Sequence, residues 1–462
     1  MMNIHLRKDL TQLSKLFDLI KSQSLDYLHH IDQRPTSSQS KVVGHMEMPD
    51  EGIGAEATLA LFNERFEKLI VGSSGPRYWG YVTGGTTPAA IMGDWLASVY
   101  DQNPQTLSGV GDISGAIEAE TIKLLLDLFN LPYDFIGGFV TGATMSNFTC
   151  LAVARQWWGK LRGKDFAKEG ISETIPILSA SPHSSVVKTL ALLGIGSQNI
   201  IMVAQQEHTE SISVQDLEDK IGALNGSPFI LLSSGGTVNR VDYDDYTAIK
   251  SLHQKHRFWW HIDAAFGGFA AVSKKYRHLV ADWEYADSIT VDCHKWLNVP
   301  YESAVCFIKK SHRMCQVESF QNSDAPYLGD PLAQFNYLNL LPENSRRLKA
   351  LPAWFTLMAY GRQGYAAIVD QCAALALYFG QQLKDSDRFE LLAPVTLNNL
   401  IFSLKDQNKD PALFLLHLNQ TNQVFMTPTI YQGRQSIRAS FVNWRTTRDD
   451  VDLVMRVMQG VS

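Results

Sequence analysis

The sequence predicts an α/β fold built on a mainly parallel sheet and followed by a small α+β domain. Two observations carry this. From Phe135 to about Lys310, short apolar runs alternate with helix-length amphipathic stretches, as strands alternate with crossover helices. The runs are also almost continuously hydrophobic, as expected of strands covered on both faces. They are GGFVT (137–141), IPILSA (175–180), NIIMVA (199–204), FILLSS (229–234), FWWHID (258–263), SITVD (288–292) and SAVCFI (303–308). Between them, SSVVKTLALLG and YDDYTAIKSLHQKH read as helices, the second with Asp residues suited to a first turn.

The flanking segments differ in character. Residues 1–75 read as helical and peripheral, and Leu6, Leu10, Leu13, Phe17 and Ile20 fall at the spacing of an amphipathic docking helix. A helix near LPAWFTLMAYG (351–361) leads to VTLNNLIFSL, SIRASFVNW and a terminal helix. The expected organisation is therefore an N-terminal segment (1–75), a large domain (76–346) and a small C-terminal domain (347–462).

Composition excludes several classes. The 462 residues carry 41 Lys and Arg against 47 Asp and Glu, a net charge of -6 without a basic run, so nucleic acid is not an expected partner. The N-terminus lacks the apolar core of a secretory signal, and no long uncharged apolar run predicts a membrane span. Five scattered cysteines without CxxC spacing fit neither a disulfide framework nor a zinc site, and a reducing cytoplasm is the expected compartment.

Chemistry concentrates at two strand ends. Asp263 closes FWWHID before small residues and two glycines, where ligands of open α/β sheets bind. Lys295 follows 32 positions later in ADSITVDCHKWLNVP, just past another strand end, so one strand-helix-strand unit brings a carboxylate and an amine to the same edge. Singly, Asp263 also reads as a turn residue and Lys295 as a solvated lysine. Together they suit pyridoxal 5'-phosphate (PLP): the amine forms an imine and the carboxylate keeps the pyridine nitrogen protonated, a stronger electron sink.

A phosphate needs backbone N–H groups at a helix N-terminus, and GGFVTGATMSNFTCLAVARQWW supplies strand, small-residue turn and helix, with Ala143 and Thr144 as donors. His183, after the strand ending near Ala180, suits a planar cap on the cofactor ring and equally a loop residue. There is no GxxxxGK[ST] or GxGxxG, no HExxH and no GxSxG, which weighs against nucleotide, zinc-protease and hydrolase chemistry.

These residues resemble the group II PLP-dependent decarboxylases, the family of aromatic amino-acid, histidine and glutamate decarboxylases. The resemblance rests on GPRYWGYVTGGTTPAAIMGDWL, GATMSN, SPHSSVVKTLALLGIG, SSGGTVNRVDYDD, WWHIDAAFGGF, ADSITVDCHKWLNVP and NSRRLKALPAW. It implies a fold-type I PLP enzyme with a mainly parallel seven-stranded sheet, and a homodimer with active sites at the interface. Carried over by position, Lys295 resembles the Schiff-base lysine, Asp263 the pyridinium partner and His183 the stacking histidine. Ala143, Thr144, Asp292 and His294 resemble phosphate contacts, and Ala265 packs under the ring. Thr237 and Asp244 match less firmly, because RVDYDD departs from the commoner TGxFDD.

The resemblance also implies the reaction, decarboxylation of an L-amino acid to an amine and CO2. Tyr337 lies nine residues before Arg346, at the offset of a loop tyrosine that returns a proton after CO2 leaves. Packing within its segment is the other reading of Tyr337, and Tyr327 in DAPYLGD is a competing tyrosine. Tyr81 and Thr83 are expected to line the substrate pocket, with Arg438 approaching a carboxylate from the small domain. A carbon-carbon lyase resembling sphingosine-phosphate lyase, an aminotransferase, and a PLP-fold protein that has lost its chemistry remain as alternatives. Products separate them: CO2 and an amine, an aldehyde, a keto acid, or none.

Overall fold

The computed structural model describes residues 2–38, 44–105, 112–321 and 335–461. Helices α1 (Ile4–Thr11), α2 (Leu13–His29) and α3 (Ala55–Arg65) bury no residue of their own. The single docking helix expected at the N-terminus is broken at Gln12, and Leu6, Leu10, Leu13, Phe17 and Ile20 stay exposed. Helix α4 (Pro88–Tyr100) starts on the Thr87 hydroxyl, which accepts from the Ala90 amide, with Pro88 where no N–H is needed. Helix α5 (Ser114–Phe129) then leads into the sheet.

The large layer alternates as its patterning requires: β1 (Phe135–Val140), α6 (Ala143–Leu161), α7 (Phe166–Glu169), β2 (Ile177–Ser179), α8 (Ser184–Leu192), β3 (Ile200–Met202), α9 (Val214–Ala223), β4 (Phe229–Ser234), α10 (Tyr246–Lys255), β5 (Phe258–Asp263), β6 (Ser288–Val291), α11 (Cys293–Trp296), β7 (Ala304–Lys309) and α12 (Arg313–Phe320). The strand order is β1-β7-β6-β5-β4-β2-β3, seven strands as expected. All run parallel except β7, which is antiparallel to both neighbours. Only the one turn of α11 stands between β6 and β7, too little for a parallel crossover.

Strands β4 and β5 match their expected bounds, whereas β1 starts two residues early and β2 and β3 shrink to three residues each. β3 is not covered on both faces: it is the sheet edge, and Met202 is 55% exposed. The centre of the sheet is apolar throughout, with Trp259, Trp260 and Ile262 fully buried on β5.

The long helix α13 (Ala350–Asp385) lies along α4 and α5, is interrupted at Gly361 (φ 59°, ψ −172°), and reaches the second sheet. That sheet is antiparallel, order β10-β11-β9-β8, from β8 (Phe389–Leu391), β9 (Asn399–Leu404), β10 (Thr427–Tyr431) and β11 (Arg434–Ser440), with helices α14 (Pro411–Gln420) and α15 (Arg448–Gly460). It is the small α+β unit expected at the C-terminus.

Residues 74–81 are held against the small sheet. Trp79 N–H donates to Phe425 O (2.8 Å), Ser440 N–H donates to Trp79 O (2.9 Å), and the Asn443 side chain donates to Ser74 O and Gly75 O. A buried ion pair holds the start of the sheet: Arg346 Nη1 lies 2.9 Å from Glu118 Oε1, which also accepts from the Phe139 amide, while the guanidinium reaches Phe139 O and Pro104 O.

At the opposite edge of the sheet from the strand ends discussed next, Asp287 accepts from His312 Nε2 (2.7 Å), the Trp260 amide (2.7 Å) and His253 Nε2 (3.1 Å). Burial alone raises this carboxyl's pKa, but the two histidines outweigh it and hold it near 2. A folded pKa below the unfolded value stabilises the fold above the unfolded pKa, and this is lost as pH falls from about 4 to about 2. We expect Asp287→Asn to lower the urea midpoint at pH 7, by about 2 kcal/mol in stability, and to flatten its acid-side decline. Parallel acid-side curves for wild type and variant exclude this role.

Candidate active site

Strands β2, β4, β5 and β6 run parallel, and their carboxyl ends surround a cavity of about 260 Å³. Asp263, the last residue of β5, pairs in register with Ser234 and Thr290. Its Oδ1 accepts from the Ala265 amide (3.2 Å) and its Oδ2 from Asn147 Nδ2 (3.0 Å). Lys295 sits in α11, one turn past β6, because Asp292 N–H donates to Ala265 O and the Cys293 amide to Ser303 O. Its Nζ is 3.9 Å from Asp292 Oδ2 and its side chain is 16% exposed, so the amine is partly shielded yet open to the cavity.

The backbone behind Lys295 is tightly enclosed. A Cβ added at Gly84 would come within 1.5 Å of Lys295 O, so only glycine fits there. Buried Asn298 donates to Gly84 O (2.7 Å), Lys295 O (3.1 Å) and Val442 O (2.8 Å), tying the lysine to the 84–85 turn and the small domain.

His183 follows β2 and opens α8, with its Nδ1 accepting from the Ser185 amide (3.2 Å) and lying 2.7 Å from Ser185 Oγ. The ring proton is therefore on Nε2, and desolvation in the cleft holds the pKa below its ordinary value against the pull of Asp263. Ala265, Thr237, His294, Tyr81 and Arg438 also line the cavity. Thr237 Oγ1 accepts from the Asp242 amide. Arg438 reaches Val238 O and Tyr81 O at 3.4 and 3.5 Å and forms no ion pair among the described residues.

A phosphate-bearing cofactor fits this frame. Helix α6 has no side-chain cap, and the space where Gly142 would carry a Cβ is open. The 19-residue helix opens at Ala143 and Thr144 with no cap from the Gly142 position, and such a terminus is where anions bind. The Ala143 amide is 3.3 Å from Asp292 Oδ2, and Asp292 Oδ1 is 2.6 Å from His294 Nδ1, so three of the expected phosphate contacts form one cluster that His294 brings to the cavity wall, while the Thr144 carbonyl accepts from Thr189 Oγ1.

Some expectations fail. Tyr337 is not at the cavity: it is 1% exposed, packed beneath the Arg346 guanidinium (4.7 Å) and edge-on to Phe335. Its segment forms a short turn anchored by Tyr337 N–H to Gln105 O, and burial pushes the phenol far above its usual pKa. Its hydroxyl has no hydrogen-bond partner among the described residues. We therefore expect Tyr337→Phe to leave the ratio of decarboxylation to other products unchanged and stability within about 1 kcal/mol; altered product partitioning would restore it to the chemistry. Tyr327 lies outside the described residues.

Thr83 does not line the cavity either; it is buried, and its hydroxyl is 3.3 Å from Tyr301 Oη. Asp244 accepts from the Ile212 and Ser234 amides and, raised by burial to a pKa of about 6, staples the end of β4. Conversely, sequence reasoning missed Tyr301, which stacks 4.1 Å from His294 on the cavity wall, and Asn147 and His261 behind Asp263. The Asn in GATMSN, one turn into a helix that starts at a phosphate-type turn, was the available signal.

Comparisons with known proteins bear on the family and the fold. The pyridoxal-dependent decarboxylase conserved domain matches residues 49–405. An aromatic-L-amino-acid decarboxylase of Bacillus atrophaeus is 25% identical, covering 95% of this chain and 93% of its own. A cysteine sulfinic acid decarboxylase of Rattus norvegicus is 26% identical over 85% of this chain and 80% of its own. The fold matches that of Catharanthus roseus tryptophan decarboxylase, solved with L-tryptophan, with a TM-score of 0.85 at 20% identity, over 100% of this chain and 99% of that one.

Proposed function

Because the chain belongs to the pyridoxal-dependent decarboxylase family, we propose that it decarboxylates an L-amino acid to the amine at this cavity. It is a PLP-dependent carboxy-lyase, and its particular amino acid is the open question. One observation carries the assignment of roles: the Lys295 amine, the Asp263 carboxylate and the His183 ring line a single cavity, and the start of α6 is joined to its wall through Asp292 and His294. When bound, PLP supplies an electron sink for the pair released as the carbon–carboxylate bond breaks.

The protein's part is binding and orientation. Lys295 supplies the attaching amine, and Asp263, as a fixed anion, supports a proton on the ring nitrogen. Ala143, Thr144 and His294 hold the phosphate, with Asp292 positioning both the α6 terminus and His294. His183 and Ala265 both line the ring site, and His183 carries its proton on the ring edge away from Ser185. Thr237, beside them, shapes the ring site. Arg438, unpaired and aimed into the cavity, takes a substrate carboxylate, and Tyr81 and Tyr301 bound the side-chain space. With Tyr337 in the core, His183 Nε2 and Tyr301 Oη are two proton carriers at the cavity, beside Tyr81, His294 and Lys295.

The exposed apolar residues of α2 and α4, among them Leu13, Ile20, Met92, Trp95 and Val99, support a homodimer. Five free cysteines suit a reducing cytoplasm, and among the described residues no helix is long and apolar enough to cross a membrane. The test is a panel of aromatic, acidic and sulfinic L-amino acids given to the PLP-supplied protein, with CO2 and amine both measured. Stoichiometric CO2 and amine from one class establish reaction and substrate together; a keto acid or aldehyde without CO2 overturns the decarboxylase reading.

A further inference from the structure

At the inner wall of the cavity, two fully buried side chains to which the roles above give no part bind each other, and one of them binds Asp263. Asn147 projects from α6 and His261 from β5, both 0% exposed. His261 Nε2 lies 2.9 Å from Asn147 Oδ1, and Asn147 Nδ2 lies 3.0 Å from Asp263 Oδ2. The polarity of this chain is forced from its end. An ionised carboxylate only accepts, so Asn147 turns its amino group to Asp263 and its carbonyl to His261, and that carbonyl requires a proton on His261 Nε2.

The far side agrees. Burial pushes the His261 pKa down to about 4, leaving a neutral ring with a bare Nδ1. That nitrogen is 2.8 Å from Ser288 Oγ, and the same oxygen accepts the Trp259 indole N–H at 2.8 Å, so the serine proton is free to point at the imidazole. The second amino proton of Asn147 faces Ser185 Oγ at 3.3 Å, the hydroxyl that lies 2.7 Å from His183 Nδ1. One amide thus reaches both Asp263 and the serine that holds His183.

We propose that Asn147, oriented by His261, is a positioning residue that fixes the Asp263 carboxylate as an anion and sets the tautomer of His183 through Ser185. This rests on the cofactor reading above. A carboxylate stripped of its buried donor is free to turn or take up a proton, and either weakens its support of a protonated pyridine nitrogen. A purely structural Asn147 would affect only the stability of the fold.

The test measures PLP affinity and the 15N signal of ring-labelled PLP as pH varies, in wild type, Asn147→Ala, His261→Leu and His261→Gln. The glutamine variant keeps an N–H donor for the Asn147 carbonyl. Asn147→Ala is expected to weaken PLP binding roughly tenfold or more, the worth of one hydrogen bond to a buried charge. Its ring-nitrogen protonation midpoint is expected to fall by about one pH unit. His261→Leu moves both readouts in the same direction and His261→Gln restores them. Should Asn147→Ala fail to fold, His261→Leu, which leaves Asn147 in place, decides alone. Affinities within twofold of wild type and an unmoved midpoint overturn the proposal, whatever the melting temperatures, as does a glutamine variant no better than leucine. A wild-type protein that binds no PLP overturns the cofactor reading instead.

Discussion

Replacing Lys295 with alanine is expected to lower kcat/KM by roughly 10⁴-fold or more, because the group that attaches the cofactor and exchanges it with substrate is removed outright. The fold should survive. Lys295 Nζ has its nearest charged partner at 3.9 Å, and its side chain retains solvent contact, so little packing or pairing is lost. Stability within about 1 kcal/mol of wild type is expected, the ordinary range for a substitution that breaks no buried network. The check is paired: amine formation, and the visible absorption of PLP-supplied protein, which should lose the band of the attached cofactor. Substantial amine formation by Lys295→Ala removes the lysine from the proposed chemistry.

Breaking the Arg346–Glu118 pair should cause the largest loss of stability. Glu118 is fully buried and Arg346 is 6% exposed, so removing one partner strands a charge where water cannot reach it. The cost of such an orphan is about 3–5 kcal/mol. Arg346→Met also strips the acceptors Phe139 O and Pro104 O of a donor and exposes the ring of Tyr337 to a void. Denaturant unfolding of Arg346→Met, Glu118→Leu and the double variant is the measurement. The double variant should recover part of the loss, because no charge is left unpaired; a double variant as unstable as the sum of the two singles contradicts the account.

The sheet and its site were legible to different depths. Asp263 and Lys295 could be found because each closes a nearly unbroken apolar run, and a charged group at such a point stands at the mouth of a parallel sheet. The helix-opening turn at Gly142 was legible for the same reason. Strand order and the reversal of β7 were not, since apolar runs carry no direction. Tyr337 misled because a nine-residue offset fixes distance along the chain but not the side to which a ring packs; here Arg346 draws it into the core. Asn147 and His261 were hidden for the opposite reason. A polar residue amid an apolar element reads as a solvent-facing position until its burial and partners are known.

The seating of residues 74–81 on the small sheet bears on how the protein is made. Trp79 and Tyr81 leave the ribosome long before the partners that hold them, Phe425 and Ser440, the second lying 359 residues beyond Tyr81. Contacts of such long sequence separation form slowly, and a growing chain meanwhile exposes the apolar surface they will cover. A ribosome-bound chain ending before Phe425 should therefore carry the finished seven-stranded sheet with an open cofactor cleft, and competence to hold PLP should arrive only with the last strands of the small sheet.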